Sequence, residues 1–484
     1  MIKKFYVTTP IYYVNDQPHI GHAYTTIAAD VLARYWRNKL GKDKVFFLTG
    51  TDEHGDKVAA GAKAEGLEIT EFVDKYASKF QETFKRLSID YNKFIRTTEP
   101  EHNDSVQIFM NKLNQAGAVY QGVYEGLYCR DCEDFYREKD LADGQCPVHL
   151  KPPELVKEKN WFFRLEKYLR QVEELIASGE LVIEPVNINK EVQGLLKQGL
   201  KDFSITRERV NWGLDFPVDS SLKIYVWVEA LQNYISAIGY GRDDKEFNAW
   251  WPADIHLMAK DIIKFHCIYW PAMLLAAGEK LPRKIFAHGF FTVNGQKMSK
   301  TLKNAIDPNK LINKFGADAT RYLLLSQFPF GQDGDIKESS FDEQYQASLA
   351  NGVGNLVARV SKMIEQYLDG QINKSIKPSQ EFNQHCELIE QEIEQLHLQG
   401  AIKTIQKALS SLDEVIEKAQ PWQMAKEDKP QELKEILSQQ AASILKLAQY
   451  IQLFMPETGQ KIQDQFKQDK ITKGEILFPR IESE

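Results

Sequence analysis

Residues 5–52 read as strand, loop, helix, strand, and that order constrains the fold more than any other feature of the chain. Phe5 and Val7 alternate with polar neighbours, and Pro10 and Pro18 bracket an irregular loop. From about His22 apolar residues recur at helical spacing, Ile27, Val31 and Tyr35 beside Ala28, Leu32 and Trp36, until Gly41 offers a stop. "KVFFLTG" follows as a buried strand. Two strands joined by a helix form a parallel pair, and a parallel sheet has its ligand crevice at the carboxyl ends of its strands. Two short loops fall at that edge, "PHIGH" and "GTDEHG" (Gly50 to Gly55).

The rest of the chain is organised in blocks. At 484 residues it has room for roughly two to four domains. From about Gly117 to Pro217 glycine, cysteine, aspartate and aromatic residues take over, as in "YEGLYCRDCEDFY", and helices resume near Trp161; this reads as an inserted module. "IYVWVEAL" (Ile224 to Leu231) and "RKIFAHGFF" (Arg283 to Phe291) return to the vocabulary of strands. Beyond about Ser340 the pattern is helical. Ile402, Ile405, Leu409, Leu412 and Ile416 form one apolar stripe, and Ile444, Leu447, Ala448, Ile451 and Met455 another, with "INKSIKPSQ" and "EDKPQ" as interhelical linkers. No apolar run reaches the length of a bilayer, and "MIKKFYVTTP" lacks the apolar core of a signal peptide, so the cytoplasm is the expected compartment and no membrane partner is expected. The net charge of −7 argues against indiscriminate coating of nucleic acid and leaves room for local basic patches.

Three constellations carry chemistry. His19 and His22 flank Gly21 where strand turns to helix. They could cap the helix and fill a tight corner, or donate to a phosphate at a helix N-terminus, with Gly21 leaving space for a nucleotide. "NGQKMSKTLKN" places Lys297 and Lys300 in a glycine-bearing, non-periodic stretch. That is either a solvated lysine loop or a closing clamp on the pyrophosphate of ATP. Cys129-x2-Cys132, thirteen residues, then Cys146-x2-His149 has the spacing of a tetrahedral Cys3His zinc knuckle, the alternative being reduced cysteines in a loop. Five cysteines, three of them clustered, do not make a secreted disulfide framework.

The pair "HIGH" and "KMSKT" resembles the signature of class I aminoacyl-tRNA synthetases, in which the second motif ends in serine; Thr301 keeps the hydroxyl. "TTPIYYVNDQPHIGHAYTTIAADVLARY", "FLTGTDEHG", "YVWVEALQNYISA", "AKDIIKFH" and "KMSKTLKNAIDP" resemble, in order and interval, the methionyl-tRNA synthetase family over essentially the whole chain. The resemblance implies a Rossmann-like α/β catalytic domain with a parallel sheet in two parts (1–116 and 218–290), interrupted by a zinc-bearing connective insertion (117–217). It further implies a KMSKT and stem-contact region (291–345) and an all-α helical-bundle domain that reads the anticodon (346–484).

The implied activity is methionine activation by ATP with Mg2+, followed by transfer to the 3′-terminal adenosine of tRNA(Met). His19, Gly21, His22, Lys297 and Lys300 match the ATP-handling and catalytic positions. Ile11, Tyr13, Asp52, Trp227, Leu231, Tyr234, Asp261 and His266 match the methionine pocket, Asp52 holding the α-ammonium, with Arg207 at a further ordering position. Asp52 has a plainer alternative as a helix N-cap. Asn355, Arg359 and Trp422 match anticodon contacts. The zinc, with four protein ligands, is expected to be structural. Many members of that family carry a further C-terminal oligonucleotide-binding barrel; the sequence runs to Glu484 without one, and a monomer is expected. A leucine, isoleucine or valine enzyme would need a larger editing insertion. A cysteine enzyme would have scattered zinc ligands at its active site. A small-molecule nucleotidyltransferase would leave the helical tail unexplained.

Overall fold

The computed structural model describes residues 2–129, 134–136, 138, 141–147, 150–297 and 305–481, with the backbone alone at Asp134, Phe135 and Lys297. The chain forms two compact units. One comprises Met1–Pro18, Lys39–Glu82 and Asp90–His288; the other His19–Asn38, Thr83–Ile89 and Gly289–Glu484.

The first unit is built on a six-stranded parallel sheet. Its strands are β1 (Phe5–Tyr13), β2 (Val45–Asp52), β3 (Lys93–Arg96), β4 (Val182–Glu184), β5 (Ile255–Ala259) and β6 (Lys284–His288), in the order β3-β2-β1-β5-β6-β4. The order runs one way from β1 to β3 and the other way from β5, so the switch point lies between β1 and β5, where an open α/β sheet leaves a crevice at its carboxyl edge. β2 reads as a continuous buried run because both faces of a parallel sheet are covered. Gly50 is required there: a Cβ would stand 2.0 Å from the Ile95 carbonyl oxygen of β3.

An antiparallel sheet interrupts this domain, made of Val119–Cys129, Asp134–Tyr136, Glu154–Phe163 and Phe203–Ser204. Along Glu154–Phe163, Val156, Glu158, Asn160 and Phe162 alternate inward, the period of a strand with one covered face. Trp161 therefore lies on a strand, and the helix expected near it starts at Leu165. "IYVWVEAL" is also corrected. Only Ile224 ends a strand, and Val226–Ala230 is a short helix, followed by another at Asn233–Ser236.

The second unit holds α1 (Ile20–Leu40) and the C-terminal helices Asn355–Leu368, Gln380–Glu394, Leu398–Ala419, Pro421–Lys426, Pro430–Phe454 and Pro456–Lys467. Both apolar stripes read from the sequence are buried. Starts are marked as the sequence would have them: Ser379 accepts from the Phe382 N–H, and proline opens the helices at Pro421, Pro430 and Pro456. Among the described residues no helix is long and apolar enough to cross a membrane.

Candidate active site

The carboxyl edge of the parallel sheet gathers most of the residues expected around an amino acid. Tyr13 ends β1 and pairs in register with Asp52, the last residue of β2. Asp52 is 3% exposed and caps no helix, since Gly55 precedes the next one, Asp56–Glu65. Trp227, on the short helix after Ile224, meets the Tyr13 ring edge-on at 6.3 Å and stacks on Phe265 at 4.1 Å. Ile11, Tyr13 and Trp227 are half-buried on the core that includes Leu231 and Tyr234. Aromatic walls beside a buried carboxylate suit a polarisable apolar side chain with an α-ammonium attached.

His266 closes this group from β5. It lies in the π-helical turn Phe265–Tyr269, a departure from α geometry that often marks functional sites. Its Nδ1 faces the Ile262 carbonyl at 3.0 Å, so Nδ1 donates and Nε2 accepts from the Tyr234 hydroxyl at 2.8 Å. Burial holds its pKa down at about 4, and the ring is neutral at pH 7. Asp261 is exposed on the turn Lys260–Ile262. Arg207 is buried in the inserted module, donating to both oxygens of Glu158 at 3.0 and 3.3 Å and lying over the Tyr128 ring at 3.9 Å.

The two motif histidines are set by backbone contacts. The His19 N–H donates to His22 Nδ1 at 3.2 Å, the Gly21 N–H donates to His19 Nδ1 at 3.1 Å, and the rings stack at 3.7 Å. Each Nδ1 accepts, so each ring proton sits on Nε2. The two nitrogens of each ring are thus distinct: Nδ1 satisfies an N–H at the start of α1, and Nε2 carries the ring proton. The second motif follows a hairpin in which Phe291–Val293 pairs with Gln296–Lys297 around Asn294 and Gly295, both at positive φ, as an Asn-Gly turn requires. Asp335 fixes that turn, accepting from Thr292 Oγ1 and the Gly295 N–H at 2.7 Å each. Lys300, Thr301 and the side chain of Lys297 lie outside the described residues.

Cys129 ends its strand and pairs across a hairpin with Asp134. Cys146 opens a tight turn, its carbonyl accepting from the Leu150 N–H and its N–H donating to the Lys151 carbonyl, both at 2.9 Å. Both thiols are buried, at 4% and 0% exposure. Cys132 and His149 lie outside the described residues.

In the helical region Asn355 and Arg359 stand one turn apart on Asn355–Leu368, Asn355 exposed. Arg359 pairs with Glu417 at 2.5 Å and Asp413 at 3.5 Å, its guanidinium 5.6 Å from the centre of the half-buried Trp422 ring.

Sequence reasoning missed one group. Glu229, fully buried two residues after Trp227, lies between His54 and His102. Nothing in the sequence joins positions 54, 102 and 229; only the polar residues inside "DEHG" and "VWVEAL" hint at it.

The sheet of the first unit thus reverses its order beside a buried carboxylate with aromatic walls, and paired histidines open a helix of the second unit. The family described as tRNA synthetases class I (M) matches residues 5–152 and 136–361. The methionine–tRNA ligase of Thermotoga maritima is 42% identical over 95% of this chain and 74% of its own length, and that of Streptomyces coelicolor 38% over 99% and 97%. The crystal structure of Mycobacterium tuberculosis methionyl-tRNA synthetase bound by methionyl-adenylate matches with a TM-score of 0.90 at 34% identity, over 99% of both chains. The chain belongs to the methionine–tRNA ligase family.

Proposed function

We infer that this chain activates methionine and attaches it to tRNA. A methionine carboxylate oxygen attacks the α-phosphorus of ATP in line; the bond to the bridging oxygen breaks, and pyrophosphate leaves with methionyl-adenylate formed. A 2′- or 3′-hydroxyl of the terminal adenosine of tRNA(Met) then attacks the methionyl carbonyl, AMP leaves, and the hydroxyl proton goes to solvent. Neither step needs a nucleophile from the protein, whose work is orientation and charge stabilisation.

Asp52 holds the α-ammonium, and Tyr13, Trp227, Ile11 and Leu231 enclose the thioether. The neutral His266, ordered by Ile262 and Tyr234, offers no charge to attract an acidic or basic side chain. His19 and His22 donate from Nε2 to the nucleotide phosphates, Lys297 and Lys300 neutralise the departing pyrophosphate, and Mg2+ accompanies ATP. Two buried cysteines, one ending a strand and each with an x2 partner in the sequence, fit a zinc held by Cys129, Cys132, Cys146 and His149, which would tie the insertion together. Asn355, Arg359 and Trp422 take the anticodon bases, by edge hydrogen bonds and stacking. Translation places the reaction in the cytoplasm.

The observation that carries this reading is the Tyr13–Asp52–Trp227 group at the sheet's switch point, in a chain alike to methionine enzymes over its whole length. Amino-acid-dependent ATP–pyrophosphate exchange across the twenty amino acids tests it. Methionine should drive exchange; preference for cysteine or leucine would overturn the assignment.

A further inference from the structure

The methionine pocket is carried by three separate stretches of chain: the end of β2 with Asp52, the helix Val226–Ala230 with Trp227, and the helix Asn233–Ser236 with Tyr234. One buried side-chain chain joins all three. Glu229 accepts from His54 Nδ1 at 2.8 Å through one carboxylate oxygen, and its other oxygen faces His102 Nε2 at 3.5 Å. His102 continues through Nδ1 to the Ser236 hydroxyl at 2.8 Å. None of these residues is more than 5% exposed.

A buried carboxylate is costly unless it is paired, and an apolar residue of like size would pack here at lower cost. What Glu229 adds is direction. The bond that one oxygen accepts from His54 fixes the helix presenting Trp227 against the segment that follows Asp52, and His102, facing the other oxygen, extends the constraint to the helix presenting Tyr234. Ligand sites need such support to hold tolerances of about half an ångström. The surroundings favour a charged pair. Burial works against it, but His54 and His102 together hold Glu229 down at about 2, while Glu229 and Glu53 hold His54 above its ordinary value against burial and Lys223. Glu53 is itself anchored by Arg96 at 2.7 and 2.9 Å.

We propose that Glu229 is a positioning residue for methionine, acting through His54 and through His102 and Ser236 to hold Asp52, Trp227 and Tyr234 in one binding geometry. The proposal rests on the function inferred above.

Glu229→Gln tests it, since glutamine keeps the shape and one acceptor but not the charge. In pyrophosphate exchange its KM for methionine rises about tenfold, equivalent to about 1.4 kcal/mol, while KM for ATP moves less than about twofold. The pH profile separates positioning from bulk stability. In the parent, His54 keeps its proton above pH 6.5 because Glu229 is ionised, and KM for methionine climbs as pH rises through that raised pKa. In the variant the larger raising partner is gone, burial outweighs what Glu53 still contributes, His54 is neutral, and the profile is flat between about pH 6 and 8. A folded Glu229→Gln protein with the parent's KM and pH profile overturns the proposal. If that variant does not fold, Ser236→Ala decides. It removes one hydroxyl from the far end of the chain and raises KM for methionine about threefold; an unchanged KM overturns the proposal. A parent that does not exchange with methionine at all would refute the function instead.

Discussion

Arg321 and Asp30 form an ion pair at 2.7 Å in which neither side chain has any exposure. Arg321 also donates from Nε to the Phe454 carbonyl at 2.7 Å, from Nη2 to Leu453 at 3.1 Å and from Nη1 to Leu87 at 3.0 Å; Asp30 accepts in addition from Arg34 at 2.6 Å. Leu453 and Phe454 end the helix Pro430–Phe454, so a cation meets carbonyls that have no intrahelical partner, at the negative end of the helix dipole. Asp30 sits in α1, the helix that starts directly after His19. One guanidinium thus ties the helix of the first motif to the last turn of the longest helix in the same unit.

Removing that cation leaves a buried carboxylate and three carbonyls short of donors. Arg321→Met should therefore destabilise the unit by about 3–5 kcal/mol, read from urea unfolding. Asp30→Asn/Arg321→Met should recover part of the loss, because no fully buried charge remains and the Arg34 side chain left behind is partly exposed. A single Arg321→Met variant within about 1 kcal/mol of the parent would show that the pair contributes little.

His266 predicts a loss of stability in mild acid. Its folded pKa of about 4 lies below the ordinary 6.5, so between those values the unfolded chain binds a proton that the folded one refuses. The stabilisation is complete above pH 6.5 and is lost as pH falls toward 4, by about 3.5 kcal/mol for a difference of 2.5 at about 1.4 kcal/mol each. KM for methionine should stay level across that window and rise only as pH falls through about 4, where the ring of the folded protein takes a proton and can no longer accept from Tyr234. His266→Gln should remove that part of the stability slope; a slope unchanged from the parent would assign it to other groups.

For the insertion, elemental analysis of protein purified without chelators should find about one zinc per chain. Cys146→Ser should abolish it and lower the protection of amides in Val119–Cys129 and Glu154–Phe163 against hydrogen exchange, while methionine binding persists. Metal-free parent protein with full protection would rule the zinc out.

Much of this architecture was legible because local pattern and tertiary environment agree. α1 shows its helical period, and Leu398–Ala419 shows a stripe that becomes its buried face. "IYVWVEAL" was misread as strand because its helix is only five residues long, too short to show a period, and rich in β-branched and aromatic side chains. Trp161 was misplaced although its strand alternates, because the large apolar cluster at Trp161–Phe163 masks the alternation. In the site, spacing picked out His19 and His22, but only the hydrogen bonds distinguish the two nitrogens of each ring. Glu229 was invisible, since its partners lie 175 and 127 residues away along the chain and a lone glutamate in an apolar run has no signature.

The last prediction separates adenylate formation from tRNA selection. Trp422 is half-buried on the short helix Pro421–Lys426 and lies 5.6 Å from the Arg359 guanidinium, which Glu417 and Asp413 hold in place. A ring only half-covered by protein retains a face for a base, and stacking on such a face is worth about 1–3 kcal/mol. Trp422→Ala should then weaken charging of a tRNA with the methionine anticodon CAU by roughly 5- to 150-fold, at about 1.4 kcal/mol per decade. Methionine-dependent pyrophosphate exchange without tRNA should hardly change, because that step does not involve the helical region. The control is a tRNA of the same body with another anticodon, already a poor substrate for the parent, which should lose little more. If Trp422→Ala lowers exchange and melting temperature together, the ring serves packing and Arg359 alignment, and the stacking role assigned to it is wrong.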